Sequence, residues 1–184
     1  MNCDELRHLI VTAFHGVDLD GGMSLRQAEI CDKFGKDSDG RVVSDMDFAA
    51  IPDREITDNW SALSLDELER FPYLAHLDPE GFRYYIPAFL LSLLKDANRL
   101  SMRVISTLSS IQPTRDTWLY HMRLYEALTD AQRTAIAAFV FHLQSYPKLT
   151  ASDQRQVSAA LQLYWRQFLP ELHEPNASDG PFST

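Results

Sequence analysis

Cysteine is nearly absent from this chain: Cys3 and Cys31 are the only two, 28 residues apart and outside any CxxC spacing. That scarcity argues against a disulfide framework or a zinc knuckle and fits free thiols in a reducing compartment. Glycine is scarce too, 7 in 184 residues, and none sits in a GxGxxG or GxxxxGK[ST] loop, so the phosphate cradles of nucleotide-binding proteins are missing. There is no GxSxG elbow for a hydrolase nucleophile. Only a site dispersed over several elements would make an enzyme of this chain.

Basic side chains are outnumbered, 17 against 26 acidic ones, for a formal charge of −9. Such a chain repels phosphate backbones and anionic headgroups at long range, which argues against nucleic acid and membrane surfaces as partners and suits a basic protein. The N-terminus MNCDELRHLIVTAFHG lacks the basic start, short apolar run and cleavage site of a signal peptide, so the expected compartment is the cytoplasm. The most apolar run, LDPEGFRYYIPAFLLSLL at residues 77–94, is interrupted by Arg83 and closed by Lys95 and Asp96. It is too short for a span of about 20 residues.

Strand-like alternation is the last absence, since no segment alternates at period two for long. What is present is helical spacing. Leu6, Ile10, Ala13, Phe14 and Val17 mark a first helix over residues 3–16, and Ser24 with Gln27 forms an S-x-x-Q capping box for a second, SLRQAEICDKF. Ser64 with Glu67 opens a third, SLDELERF, whose buried side is Trp60, Leu63, Leu68 and Phe71. Met102–Ile111 is a short helix; Trp118, Met122 and Tyr125 stripe the next; Thr129 with Gln132 caps another, with Ile136, Phe139, Val140 and Leu143 on one face. The clearest stripe, Val157, Ala160, Leu161, Tyr164, Trp165 and Phe168, ends the series. The expectation is an all-α fold, a single compact domain of about seven to eight helices over residues 1–172, with a polar tail at 173–184.

Pro87 lies inside the apolar run, and a proline within a helix removes an amide and clashes with the carbonyl four residues back, at a cost of about 3 kcal/mol. A broken or kinked central helix is therefore expected. The main helix is predicted to start near Pro87, with Phe89, Leu90, Leu93, Leu94 and Ala97 buried and Gly81–Ile86 as a bent approach. Asp78 and Pro79 have the form of an N-cap and first-turn proline for a short turn before it.

Few residues invite chemistry. Asp18, Asp20 and Glu29 mimic a calcium loop, but Met23 stands where the EF-hand requires glycine, so a Gly-Gly turn feeding a capped helix is preferred. Glu5 and His8 have E-x-x-H spacing without the second such pair of a di-iron bundle. His121 and His142 sit beside aromatics on different helices and read as structural. No metal or cofactor is assigned. The segment 35–58 carries Asp37, Asp39, Asp45, Asp47, Asp53, Glu55 and Asp58; it reads as a solvated connection or, alternatively, as a recognition surface for a basic partner.

AFHGV followed by GGMSLRQAEICD, the tryptophan at position 60, GFRYYIPAFL at 81–90 and the ALQLYW ending resemble a family of small bacterial proteins of unknown function. The most specific phrase holds Gly81, Phe82, Arg83, Tyr84, Tyr85 and Pro87, read as structural, with the two tyrosines as core and boundary aromatics. The resemblance implies a small soluble bacterial protein and supplies no catalytic residue. The preferred function is non-catalytic: an acidic helical protein that binds another protein, for instance as the immunity-type, neutralising partner of a bacterial toxin. The alternative is a small enzyme with a dispersed, metal-dependent site of carboxylates and histidines.

Overall fold

Most α-helix starts among the described residues are closed by a side chain that bonds back to the backbone, the start at Trp118 being the exception. A computed structural model describes residues 1–34, 59–98 and 100–169. The acidic segment and the polar tail expected from the sequence lie outside the described residues. Among those described there are eight α-helices and no strand: α1 Cys3–Ala13, α2 Leu25–Phe34, α3 Leu65–Arg70, α4 Pro79–Lys95, α5 Met102–Ser110, α6 Trp118–Glu126, α7 Asp130–Leu143 and α8 Ala151–Leu163. Short 3-10 turns stand at Trp60–Ala62, Leu74–His76 and Trp165–Phe168.

The capping boxes expected at Ser24, Ser64 and Thr129 are all formed, with Gln27, Glu67 and Gln132 reaching back to the cap amide. Asn2 with Glu5 and Thr150 with Asp153 add two more. Each satisfies amides that a helix start otherwise leaves open, typically stabilising by about 1 kcal/mol.

Helix α4 runs through the centre and packs on α1, α5, α6 and the turns at Trp60 and Leu74; α7 packs on α1, α8 and the Trp165 turn. Trp165 is fully buried and donates to the carbonyl of Ile111 at 2.8 Å, tying the C-terminal turn to the end of α5. Tyr125 stacks against it, ring centres 4.6 Å apart, and burial pushes its hydroxyl pKa well up.

Of the break or kink expected at Pro87, the break is absent. Helix α4 starts at Pro79, with Asp78 as its cap, and continues past Pro87 to Lys95. Residues 81–86, expected as an approach, are its first turns. The reason is burial: Phe82, Tyr84, Tyr85 and Ile86 before the proline are as deeply enclosed as Phe89, Leu90, Leu93 and Leu94 after it. Large apolar side chains contribute about 1.5–3 kcal/mol each on burial, so four of them outweigh one proline.

Two other stripes are corrected. On α6 the inward side chains are His121, Leu124 and Tyr125, while Trp118 and Met122 are only partly buried. The last helix stops at Leu163, and Tyr164, at φ −140° and ψ −51°, turns the chain into the 3-10 turn that carries Trp165 inward.

Gly81 is required by a close approach. Asp78 Oδ1 accepts from the amides of Gly81 at 2.8 Å and Met23 at 2.9 Å, clamping the loop before α2 onto the start of α4. A Cβ on Gly81 would run into the Met23 carbonyl, and one on Gly22 would lie 2.6 Å from the Gly81 amide nitrogen.

Candidate functional site

Helix α1, the Trp60 turn, the start of α3 and the second half of α4 meet around a cleft of about 340 Å³. Trp60, Leu63, Leu68, Ala88 and Leu91 give it an apolar floor; Arg7, Lys95, Ser61, Ser64 and Asp66 supply its polar groups. The sequence positions these groups for local reasons. Arg7 follows Leu6 on α1, so that Leu6 is buried while Arg7 stands at the edge of the core. Lys95 ends α4, where a cation faces the negative end of the helix dipole. Asp66 lies in the first turn of α3.

Trp60 forms the wall. Its indole N–H donates to the Phe14 carbonyl at 3.0 Å, so the ring is held flush and offers no donor to a ligand. Beyond it a second cavity, about 270 Å³, is lined by Val11, His15, Val17 and Asn59 and shares Trp60 and Ser61 with the first.

The electrostatics of the cleft run against those of the whole chain. Among the described residues, neither the Arg7 guanidinium nor the Lys95 ammonium has a carboxylate within ion-pair distance. Two cations unpaired among the described residues, over an apolar floor and with Asp66 as the one described carboxylate lining the cleft, favour an anionic group carried on an apolar body.

Next to Arg7 lies a thiol–imidazole pair. Cys3 Sγ is 3.5 Å from His142 Nε2 although 139 residues separate them, and the His142 ring stacks at 5.6 Å on Tyr146. Burial, together with the N-terminal charge, lowers the pKa of His142. Tyr146 is pushed up by burial and by Cys3, against the pull of Arg7, and donates to the Leu94 carbonyl at 3.2 Å. The sequence had left each cysteine without a base; the fold gives one to Cys3. Neither Cys3 nor His142 lines either cavity.

Other polar groups are structural. His121 has its ring nitrogens 3.0 Å from two carbonyl oxygens, that of Thr117 at the cap of its own helix and that of Ser109 near the end of α5. Arg103 is buried and bonds Ser92 Oγ at 2.9 Å and the Asp96 carbonyl at 3.0 Å, while its Nε faces Glu69 at 3.4 Å outside hydrogen-bond geometry. Glu69 also accepts from Ser101, the cap of α5.

Of the residues singled out in the sequence, Asp37, Asp39, Asp45, Asp47, Asp53, Glu55 and Asp58 fall outside the described residues. Gly81, Phe82, Tyr84, Tyr85 and Pro87 are buried in α4; the rings of Tyr84 and Tyr85 meet edge to face at 4.8 Å. Arg83 is partly buried, with its Nε enclosed and without a hydrogen bond. Glu5 is spent on the cap of α1 and His8 is exposed. Among the described residues no three His, Cys, Asp or Glu side chains gather to hold a metal, and no helix is long and apolar enough to cross a membrane.

No curated protein and no solved structure matches the chain. One family does, over residues 2–169, which takes in every described helix, the cleft and the Cys3–His142 pair. The chain belongs to DUF6714, a family of unknown function.

Proposed function

We propose that this protein works by binding another protein, without catalysis, and that the cleft of Arg7, Lys95 and Trp60 is where the partner docks. The observation that carries the reading is a pair of cations that, among the described residues, have no carboxylate within ion-pair distance, set over an apolar floor in a chain of charge −9. A cation left without a partner is available to one, and an opposite charge brought to 4 Å gains about 1–4 kcal/mol between the water and near-surface limits. Burying one large apolar side chain against Trp60 and Leu91 adds about 1.5–3 kcal/mol. These gains suit a docking site. The thiol and imidazole, which an enzymatic reading would use as nucleophile and base, stand outside both cavities.

The toxin-neutralising reading is a special case of this proposal, in which the partner is a toxin. Affinity capture from the native cell tests both. The wild-type chain is expected to retain a stoichiometric protein partner, and Arg7→Glu/Lys95→Glu is expected to lose it. Equal capture by both would overturn the cleft as the docking site. Stoichiometric iron, zinc or manganese in the purified protein would favour the enzymatic alternative.

A further inference from the structure

The polar groups of the cleft differ in what they demand of an occupant. Arg7 and Lys95 are donors and call for an anion; Ser61 adds a hydroxyl; Asp66 is an acceptor and calls for an N–H beside that anion. The floor calls for an apolar side chain. About 340 Å³ is near the lower limit of the roughly 300–1,000 Å³ of ligand cavities, room for a small group and not for a folded surface. A carboxylate, a nitrogen donor and an apolar side chain on one small unit describe an apolar amino-acid residue with a free α-carboxyl group.

We infer that the cleft captures the C-terminal residue of a partner polypeptide, with its α-carboxylate between Arg7 and Lys95, its amide N–H toward Asp66 and an apolar side chain against Trp60. The inference rests on the binding reading above and gives it a ligand class. The same chemistry is carried by a free apolar amino acid, whose ammonium would meet Asp66 in place of the amide. The polypeptide is the source chosen, because the rim is open: Ser61, Ser64, Asp66 and Lys95 are all exposed, which leaves a path for the residues that precede the terminus, whereas a site for a free small molecule encloses most of its ligand.

The test uses the full chain and three probes followed by calorimetry: a short peptide ending in leucine with a free carboxylate, the same peptide as its C-terminal amide, and free leucine. The free-acid peptide is expected to bind, the amide at least tenfold more weakly, and free leucine more weakly still. Lys95→Gln, an exposed position, leaves the fold intact and is expected to weaken the free-acid peptide about tenfold with little effect on the amide; Arg7→Gln is expected to do the same. Equal binding of acid and amide would overturn the inference, while loss of captured partner in Arg7→Glu/Lys95→Glu would keep the docking site. Free leucine binding as well as the peptide would make the ligand an amino acid and overturn the polypeptide source. No binding of any probe would overturn the inference outright.

Discussion

Trp60 donates its indole N–H to the carbonyl of Phe14 at 3.0 Å, across 46 residues of sequence. This bond holds the ring that divides the two cavities, and Phe14 itself is fully buried. Trp60→Phe keeps an aromatic wall and removes only the donor and part of the bulk. The Phe14 carbonyl keeps the Val17 amide as a donor at 3.3 Å, so the loss is one hydrogen bond, about 0.5–1.5 kcal/mol, together with the packing of the removed ring. Urea unfolding is expected to show a lower midpoint at unchanged slope, and an unchanged midpoint would contradict the role given to the bond.

Gly81 offers a test of sign. Inside a helix, alanine is ordinarily favoured over glycine by about 1 kcal/mol. Here the added Cβ meets the Met23 carbonyl and comes within 2.8 Å of Asp78 Oδ1, and crowding of that kind costs about 1–3 kcal/mol. Gly81→Ala is therefore expected to lower the melting temperature. A rise would show that the loop before α2 does not press on α4 as described.

Arg103 separates packing from pairing. It is 2% exposed, and its carboxylate partners Glu69 and Asp96 are about half exposed, at 47% and 55%. Removing one partner of a buried pair costs roughly 3–5 kcal/mol, whereas a well-packed apolar replacement is often neutral. Since both carboxylates can return to water, Arg103→Ala is expected at the low end of that range, chiefly from lost packing and an unfilled bond to Ser92. Arg103→Met should recover more than half of the loss in denaturant unfolding. Equal loss in the two variants would make the ion pairs, and not the packing, the dominant contribution.

The Cys3–His142 pair sets a pH dependence. Burial lowers the folded pKa of His142 below its ordinary value of 6.5, so the unfolded chain takes up the proton first. Stability from the neutral ring is complete above the unfolded pKa and is lost as pH falls from about 6.5 through the folded value. His142→Gln removes this contribution. Melting temperatures at pH 7.5 and 5.5 are expected to differ less in the variant than in the wild type; an identical difference would remove His142 from the acid response.

Local chemistry was readable in the sequence because it is written over three or four residues. Ser24, Ser64 and Thr129 cap their helices through the residues expected, and Ile136, Phe139, Val140 and Leu143 all face the core. Effects decided by packing were not readable. Pro87 argued for a helix start, and burial on both sides of it won. On α6 the helical period was visible, yet its phase depended on which face α4 and the Trp165 turn would take, and His121 faces inward with its ring nitrogens beside two carbonyls. The cleft draws on α1, the Trp60 turn, α3 and α4. Trp60 and Lys95 each stood out for another reason, one as a core residue and one as the end of an apolar run; nothing in their spacing joined them to Arg7. Cys3 and His142 meet across 139 residues, beyond any local pattern.

The central claim is that a protein partner docks in the cleft, and site-directed photo-crosslinking in the native cell tests it most directly. A benzophenone side chain at Ser61, which lines both cavities, is compared with one at Leu119, which is 84% exposed and lines neither. The account predicts a discrete crosslinked protein from position 61 that is absent from position 119 and disappears in the Arg7→Glu/Lys95→Glu background. The same product from both positions, or one that survives removal of the two cations, would contradict it.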